Sequence, residues 1–195
     1  MRRKNAWPLD RSEMNLAEST PQPRATDPWY GGFTQFGEMK ILIVDDEPAN
    51  VALLEALLAE SGYSRIQSVT DSRLALDACR QFEPDLILLD LMMPEPNGFT
   101  ILQALRAENT KMFLPIIILT ADANEETKRR ALRAGATDFL LKPFDHLEVA
   151  LRITNLLETR CLHRRLEVAR ATFDEAVRAR TSQLREQSEL ERVQR

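Results

Sequence analysis

Little in this sequence could brace a fold covalently. Its 195 residues include only two cysteines, Cys79 and Cys161, placed in neither a metal-ligand spacing nor a disulfide framework. A reducing, cytoplasmic setting is therefore expected. Long apolar runs are missing as well. The longest, such as Phe113 to Leu119, fall far short of the roughly 20 residues that cross a bilayer. The basic N-terminus is not followed by the apolar segment of a secretory signal, so no membrane partner is expected. The net charge of −4 gives no general electrostatic ground for binding nucleic acid, although the stretch after Arg160 is rich in arginine. What remains, 44% apolar and 29% charged residues, is the composition of a globular protein.

Three regions separate by composition. Residues 1–38 carry four of the ten prolines, scattered aromatics and no regular period, and read as a flexible leader; Met39 would itself make a sensible start. Residues 39–144 alternate short apolar segments with amphipathic ones. Strands are expected at Ile41–Val44, Arg65–Val69, Leu86–Leu89, Ile116–Leu119 and Asp138–Leu141, with helices starting near Pro48, Ser72, Asn97 and Asn124. Pro48 suits a first helical turn, where its missing N–H costs nothing. Strands that are almost wholly apolar, separated by helices, predict a parallel sheet covered on both faces. Five such units in this length fit an α/β, flavodoxin-like, doubly wound sheet of order 2-1-3-4-5.

Residues 145–195 contain neither proline nor glycine and predict one long helix. Leu162, Leu166, Ala169, Phe173 and Ala176 recur at the 4-3-4-3 spacing of a coiled-coil seam, which then weakens at Arg180, Gln183 and Gln187. Val177 and Leu184 fit a seam shifted by one residue, as a stutter would produce. A lone amphipathic helix folding back on the domain is the alternative. The helix reaches Arg195 without a stop signal, so a longer protein is expected.

In an open parallel sheet, ligands bind beyond the carboxyl ends of the strands. The first strand ends in Asp45 and Asp46, with Glu47 next; the third ends in Asp90, the fourth in Thr120 and the fifth in Lys142. Two carboxylates about 4 Å apart repel by about 4 kcal/mol at an effective dielectric near 20. Three of them converging on one mouth imply a cation, and oxygen ligands without His or Cys favour Mg2+. A carboxylate beside a hard ion, an ammonium and a hydroxyl is suited to accept a phosphoryl group. Capping of the first helix by Asp46 or Glu47, and an ordinary turn at Asp90, are the structural alternatives.

Together, "ILIVDDEP", "LILLDLMMPEPNGF", "IIILTA" and "FLLKPF" resemble the receiver domain of two-component response regulators over about Met39 to Leu157. The resemblance implies that Asp90 is the phosphoacceptor and that Asp45, Asp46, Asp90 and the backbone carbonyl of Met92 hold Mg2+. It further implies that Thr120, Ala121 and Lys142 border the phosphoryl group, with a cis bond before Pro143. Thr120 and Phe139 then form the switch, and a Phe where many relatives carry Tyr removes a hydroxyl. Implied partners are a sensor histidine kinase or phosphotransfer protein; the coiled-coil seam predicts in addition a second copy joined through the last helix. That helix is similar to connectors following receivers in HD-GYP-type cyclic-di-GMP regulators, none of whose catalytic residues is present, so no enzymatic turnover is expected of these residues.

Two other classes remain open. A haloacid-dehalogenase-like phosphatase would use the first Asp of an Asp-x-Asp pair after the first strand. A receiver-shaped interaction domain would need no phosphate. His146 and His163 lack the sequence context of a kinase phosphohistidine and read as solvated helix residues.

Overall fold

A computed structural model describes residues 38–108, 113–122 and 124–193, with side chains described as far as Thr181. The leader, the seam positions beyond Thr181 and Arg195 lie outside these described residues or side chains. Five strands, β1 (Lys40–Val44), β2 (Arg65–Val69), β3 (Leu86–Asp90), β4 (Ile116–Thr120) and β5 (Asp138–Leu141), form one parallel sheet of order β2-β1-β3-β4-β5. The helices are α1 (Pro48–Glu60), α2 (Ala75–Phe82), α3 (Gly98–Glu108), α4 (Glu125–Arg133) and α5 (His146–Val193). This is the doubly wound architecture that the run of apolar segments predicts.

Strand alternation divides the core into two layers. Leu42, Val44, Ile87, Leu89, Ile116 and Ile118 pack under α2, α3 and α4. Ile41, Ile43, Leu86, Leu88, Ile117, Leu119 and Leu140 pack under α1 and α5. Because β3 and β4 are buried at every residue, their apolar content cannot alternate with polar residues. Both strands also run one residue further than the apolar pattern alone indicates, carrying Asp90 and Thr120 inside the ladder, where Asp90 pairs with Leu119.

Local chemistry sets the ends. Asn124 caps α4 by accepting from the Glu126 N–H at 2.9 Å, and Asp145 caps α5 by accepting from the Glu148 N–H at 2.8 Å. The helix expected at Ser72 begins instead as a 3₁₀ turn over Ser72–Leu74, because the Asp71 carboxylate takes the Arg73 N–H at 3.0 Å and tightens that turn. Gly135, at φ +100, closes the loop after α4 in a backbone region that disfavours side chains. Arg106 reaches over that loop and donates to the carbonyls of Gly135 and Leu114 at 2.7 and 2.6 Å.

The last helix is anchored in the domain before it leaves. Val149, Ile153 and Leu157 are buried under the sheet. At the edge opposite the carboxyl ends of the strands, Asp85 gathers several donors. It accepts from the Lys40 N–H at 3.1 Å and from Arg164 at 3.2 Å, and pairs with buried Arg160 at 3.6 Å. Arg160 also donates to the Phe113 carbonyl at 2.7 Å, and the Phe113 ring stacks on His163 with centroids 4.6 Å apart. His163 is thus exposed but stacked rather than merely solvated.

Removing Asp85 leaves Arg160 buried without its counter-charge. Asp85→Ala should therefore lower the unfolding free energy in urea titrations by about 3 kcal/mol. Asp77→Ala, which breaks an exposed pair with Arg80, should change it by less than about 1 kcal/mol.

Candidate functional site

At the carboxyl edge of the sheet the separate strand ends meet. One carboxylate oxygen from each of Asp45, Asp46 and Asp90 lies within 4.8 Å of the others. Asp45 is fully buried and heavily bonded. Its Oδ1 accepts from the Glu47 N–H at 3.0 Å and from Asn50 Nδ2 at 3.1 Å, and its Oδ2 accepts from Lys142 Nζ at 2.8 Å. Asp46 is partly exposed beside it.

Asp90 is 3% exposed, yet its Oδ1 has no well-formed hydrogen bond within the protein. Lys142 Nζ lies 3.1 Å from that oxygen, but its better-directed interaction is with Asp45. Burial drives the Asp90 carboxyl above the usual carboxylate range; Lys142 opposes the shift and Asp45 reinforces it. The charged form of Asp90 is therefore the costly one in this fold.

Thr120 and Lys142 are brought together by the β4–β5 ladder, where the Lys142 N–H donates to the Thr120 carbonyl at 2.8 Å. The Thr120 hydroxyl is buried and accepts from the Asp122 N–H at 3.0 Å, which leaves its proton available to a further acceptor. Ala121 follows it, small and exposed, and Met92 stands 71% exposed past Asp90, with its N–H bonded to the Asp90 carboxylate. The Lys142–Pro143 bond is cis. Glu47 is exposed, is not among the three clustered carboxylates and makes no side-chain cap on α1.

Two further features of the site emerge from the structure. A Cβ on Gly98 would fall 2.1 Å from the Asp90 carbonyl oxygen and 2.7 Å from Leu91 Cα, so α3 can start against the end of β3 only because residue 98 has no side chain. A glycine in the first turn of a helix, where it costs helix propensity, is the signal that marks such a close approach. Phe139, on β5, is capped by cations: Lys128 Nζ lies 4.6 Å from its ring centroid and the Arg152 guanidinium 6.0 Å. Arg152 is itself held by Asp138 at 2.6 Å and Glu148 at 2.7 Å.

Fold and site together define a parallel α/β domain whose strand ends enclose an acidic, lysine-bridged mouth. The family model described as response regulator receiver domain matches residues 41–154, and the chain belongs to that family. It is 39% identical over 118 residues to the DNA-binding dual master transcriptional regulator RpaA of Synechocystis, covering 60% of this chain and 48% of that protein. It is 38% identical over 117 residues to the response regulator PleD of Caulobacter vibrioides, covering 60% of this chain and 26% of that one. Among solved structures, the receiver domain of NtrX from Brucella abortus superposes with a TM-score of 0.57 at 30% identity, covering 62% of this chain and 99% of that structure. The chain thus spans about half or less of the length of these curated relatives.

Two substitutions probe the mouth. Because the Asp90 pKa is raised in the fold, ionising it costs stability as pH climbs from the ordinary carboxylate range through the raised value. Without divalent ions, Asp90→Asn should therefore melt higher than the native chain at neutral pH, and the gap should close in strong acid, where Asp90 is protonated in both states. Gly98→Ala should lower stability by about 2 kcal/mol through the clash with the β3 backbone, read as a drop in melting temperature.

Proposed function

We propose that the chain is a phosphoacceptor switch in which Asp90 receives a phosphoryl group from a phosphohistidine on a sensor kinase or phosphotransfer protein. The observation that carries this reading is the contrast between the two buried carboxylates. Asp45 has both oxygens engaged by Glu47, Asn50 and Lys142, whereas Asp90 presents an oxygen without a well-formed hydrogen bond. A nucleophile needs a free lone pair, and Asp90 has one. The same contrast weighs against a dehalogenase-type hydrolase, whose nucleophile would be the fully bonded Asp45.

The three clustered carboxylates, an all-oxygen donor set with no His or Cys, fit a hard divalent cation. Asp45, Asp46, Asp90 and the Met92 carbonyl would hold Mg2+, which when bound supplies charge neutralisation for the transferred phosphoryl group. The protein's own residues divide the remaining work. The free Asp90 oxygen forms the new bond to phosphorus as the bond to the histidine nitrogen breaks. Lys142, already between Asp45 and Asp90, takes up charge on the phosphoryl oxygens. The Thr120 hydroxyl donates its unused proton to the same group, and the small side chain of Ala121 leaves the approach open.

Drawing Thr120 inward moves the end of β4, which is paired along β5, where Phe139 lies opposite Ile118. That face runs on into α5, so the state of Asp90 is transmitted through the helix. This division assigns residues 39–144 to the receiver core, residues 145–195 to a transmitting helix that pairs with a second copy, and residues 1–38 to a leader. The setting is cytoplasmic, where such kinases present their phosphohistidines; no helix among the described residues is long and apolar enough to cross a membrane. Any output activity belongs to sequence outside the receiver, as the differing lengths of the relatives suggest.

Incubation with a small-molecule phosphodonor and Mg2+ tests the assignment. Intact-mass measurement should show the gain of one phosphoryl group on the native chain and none on Asp90→Asn. Removal of Mg2+ with a chelator should suppress the gain. A phosphoryl group found on Asp45 would overturn the reading in favour of the hydrolase.

A further inference from the structure

The face of α5 that meets the domain and a stripe of exposed apolar residues along it lie on opposite sides, with exposed Val168 outside that stripe. Val149, Ile153, Leu157 and Arg160 are buried against the sheet. Leu162 follows Ile153 by nine residues, or two and a half turns, so it projects about 180° away. Leu166 and Phe173 extend that outward stripe, each 68% exposed, with Ala169 and Ala176 exposed between and beyond them. The helix could cover this stripe with its own domain only by breaking, and α5 is unbroken from His146 to Val193.

Resting on the paired-helix reading above, we infer that the stripe is covered by the same stripe of a second copy, parallel and in register, and that Arg165 and Arg170 hold this pairing weak. The layer order Leu162, Leu166, Ala169, Phe173, Ala176 is self-complementary. In a parallel pair each residue meets its own copy, and the two Phe173 rings gain room from the alanine layers on either side. An antiparallel pair sets a positions against d positions. Its best alignment opposes Leu162 to Phe173 and Leu166 to Ala169 but leaves Ala176 against Thr159, so it loses a layer that the parallel pair keeps.

The flanking charges then work against the seam. Parallel register places Arg165 of one copy beside Arg170 of the other, at the g and e positions, and does so twice per pair. The antiparallel alignment would place Arg165 beside Thr172. Five apolar layers over about 21 Å of helix, opposed by two like-charge contacts, give an association that is reversible rather than permanent. The two receiver domains are carried on the outer sides of the pair, since their packing face points away from the seam.

Sedimentation equilibrium on the full chain tests this. Arg165→Glu makes both flanking contacts attractive and should lower the dimer dissociation constant about tenfold. Phe173→Glu, at an exposed position that leaves the domain intact by circular dichroism, should abolish association. In a Cys161→Ser background, Ala169→Cys and Ala176→Cys should each form an interchain disulfide on oxidation, as only like-to-like pairing allows at both. If Arg165→Glu leaves the dissociation constant unchanged and Ala176→Cys fails to crosslink, the parallel register is overturned. Loss of association in Phe173→Glu under that outcome would still uphold the paired-helix reading. A chain that stays monomeric in every variant would overturn both.

Discussion

The arrangement depends on one ammonium group shared by two buried carboxylates. Lys142 stands 2.8 Å from Asp45 and 3.1 Å from Asp90, and without it two anions would face each other at the end of a sheet that buries nearly everything around them. A single cation cannot satisfy both. Asp45, with two further donors, takes the stronger share, and Asp90 is left as the unsatisfied partner. The domain is thus built with an electrostatic deficit at one atom, a buried carboxylate oxygen whose charge only a further cation or proton would relieve.

The deficit is possible because the surrounding backbone is rigid. Asp90 sits inside the β3–β4 ladder rather than in a loop, Lys142 is tied through its N–H to Thr120, and Gly98 brings the start of α3 into contact with the β3 backbone. Each fixes a side chain that would otherwise relax toward solvent and relieve the imbalance. Strain of this local kind is affordable only where the core is redundant, as it is in two layers of aliphatic residues above and below the sheet.

Much of this was legible in the sequence because the relevant signals are local. Runs such as Leu86–Leu89 and Ile116–Leu119 announce buried parallel strands, and a polar residue after each run, Asp90 and Thr120, marks the strand end whatever the distant partners are. The long helix was legible for the same reason, from the absence of proline and glycine throughout residues 145–195. Contacts between residues far apart in the chain were not. Asp85 gathers Lys40, Arg160 and Arg164 across 45, 75 and 79 positions, and nothing in its immediate neighbours, Pro84 and Leu86, distinguishes it from a turn aspartate. The cations over Phe139 were hidden likewise, since Lys128 and Arg152 read as solvated helix charges until β5 is placed between their helices.

The ion-pair clasp around Asp85 has a mechanical consequence. It grips α5 at Arg160 and Arg164, near the end of its contact with the domain, so the helix beyond would move as a stiff rod about that grip. From there to Val193 the rod is about 45 Å long. A tilt of about 5° at the clasp would sweep its far end through about 4 Å, about three-quarters of the rise of a helical turn. Rearrangements too small to notice within the receiver would arrive at the tip as a displacement large enough to change which residues meet.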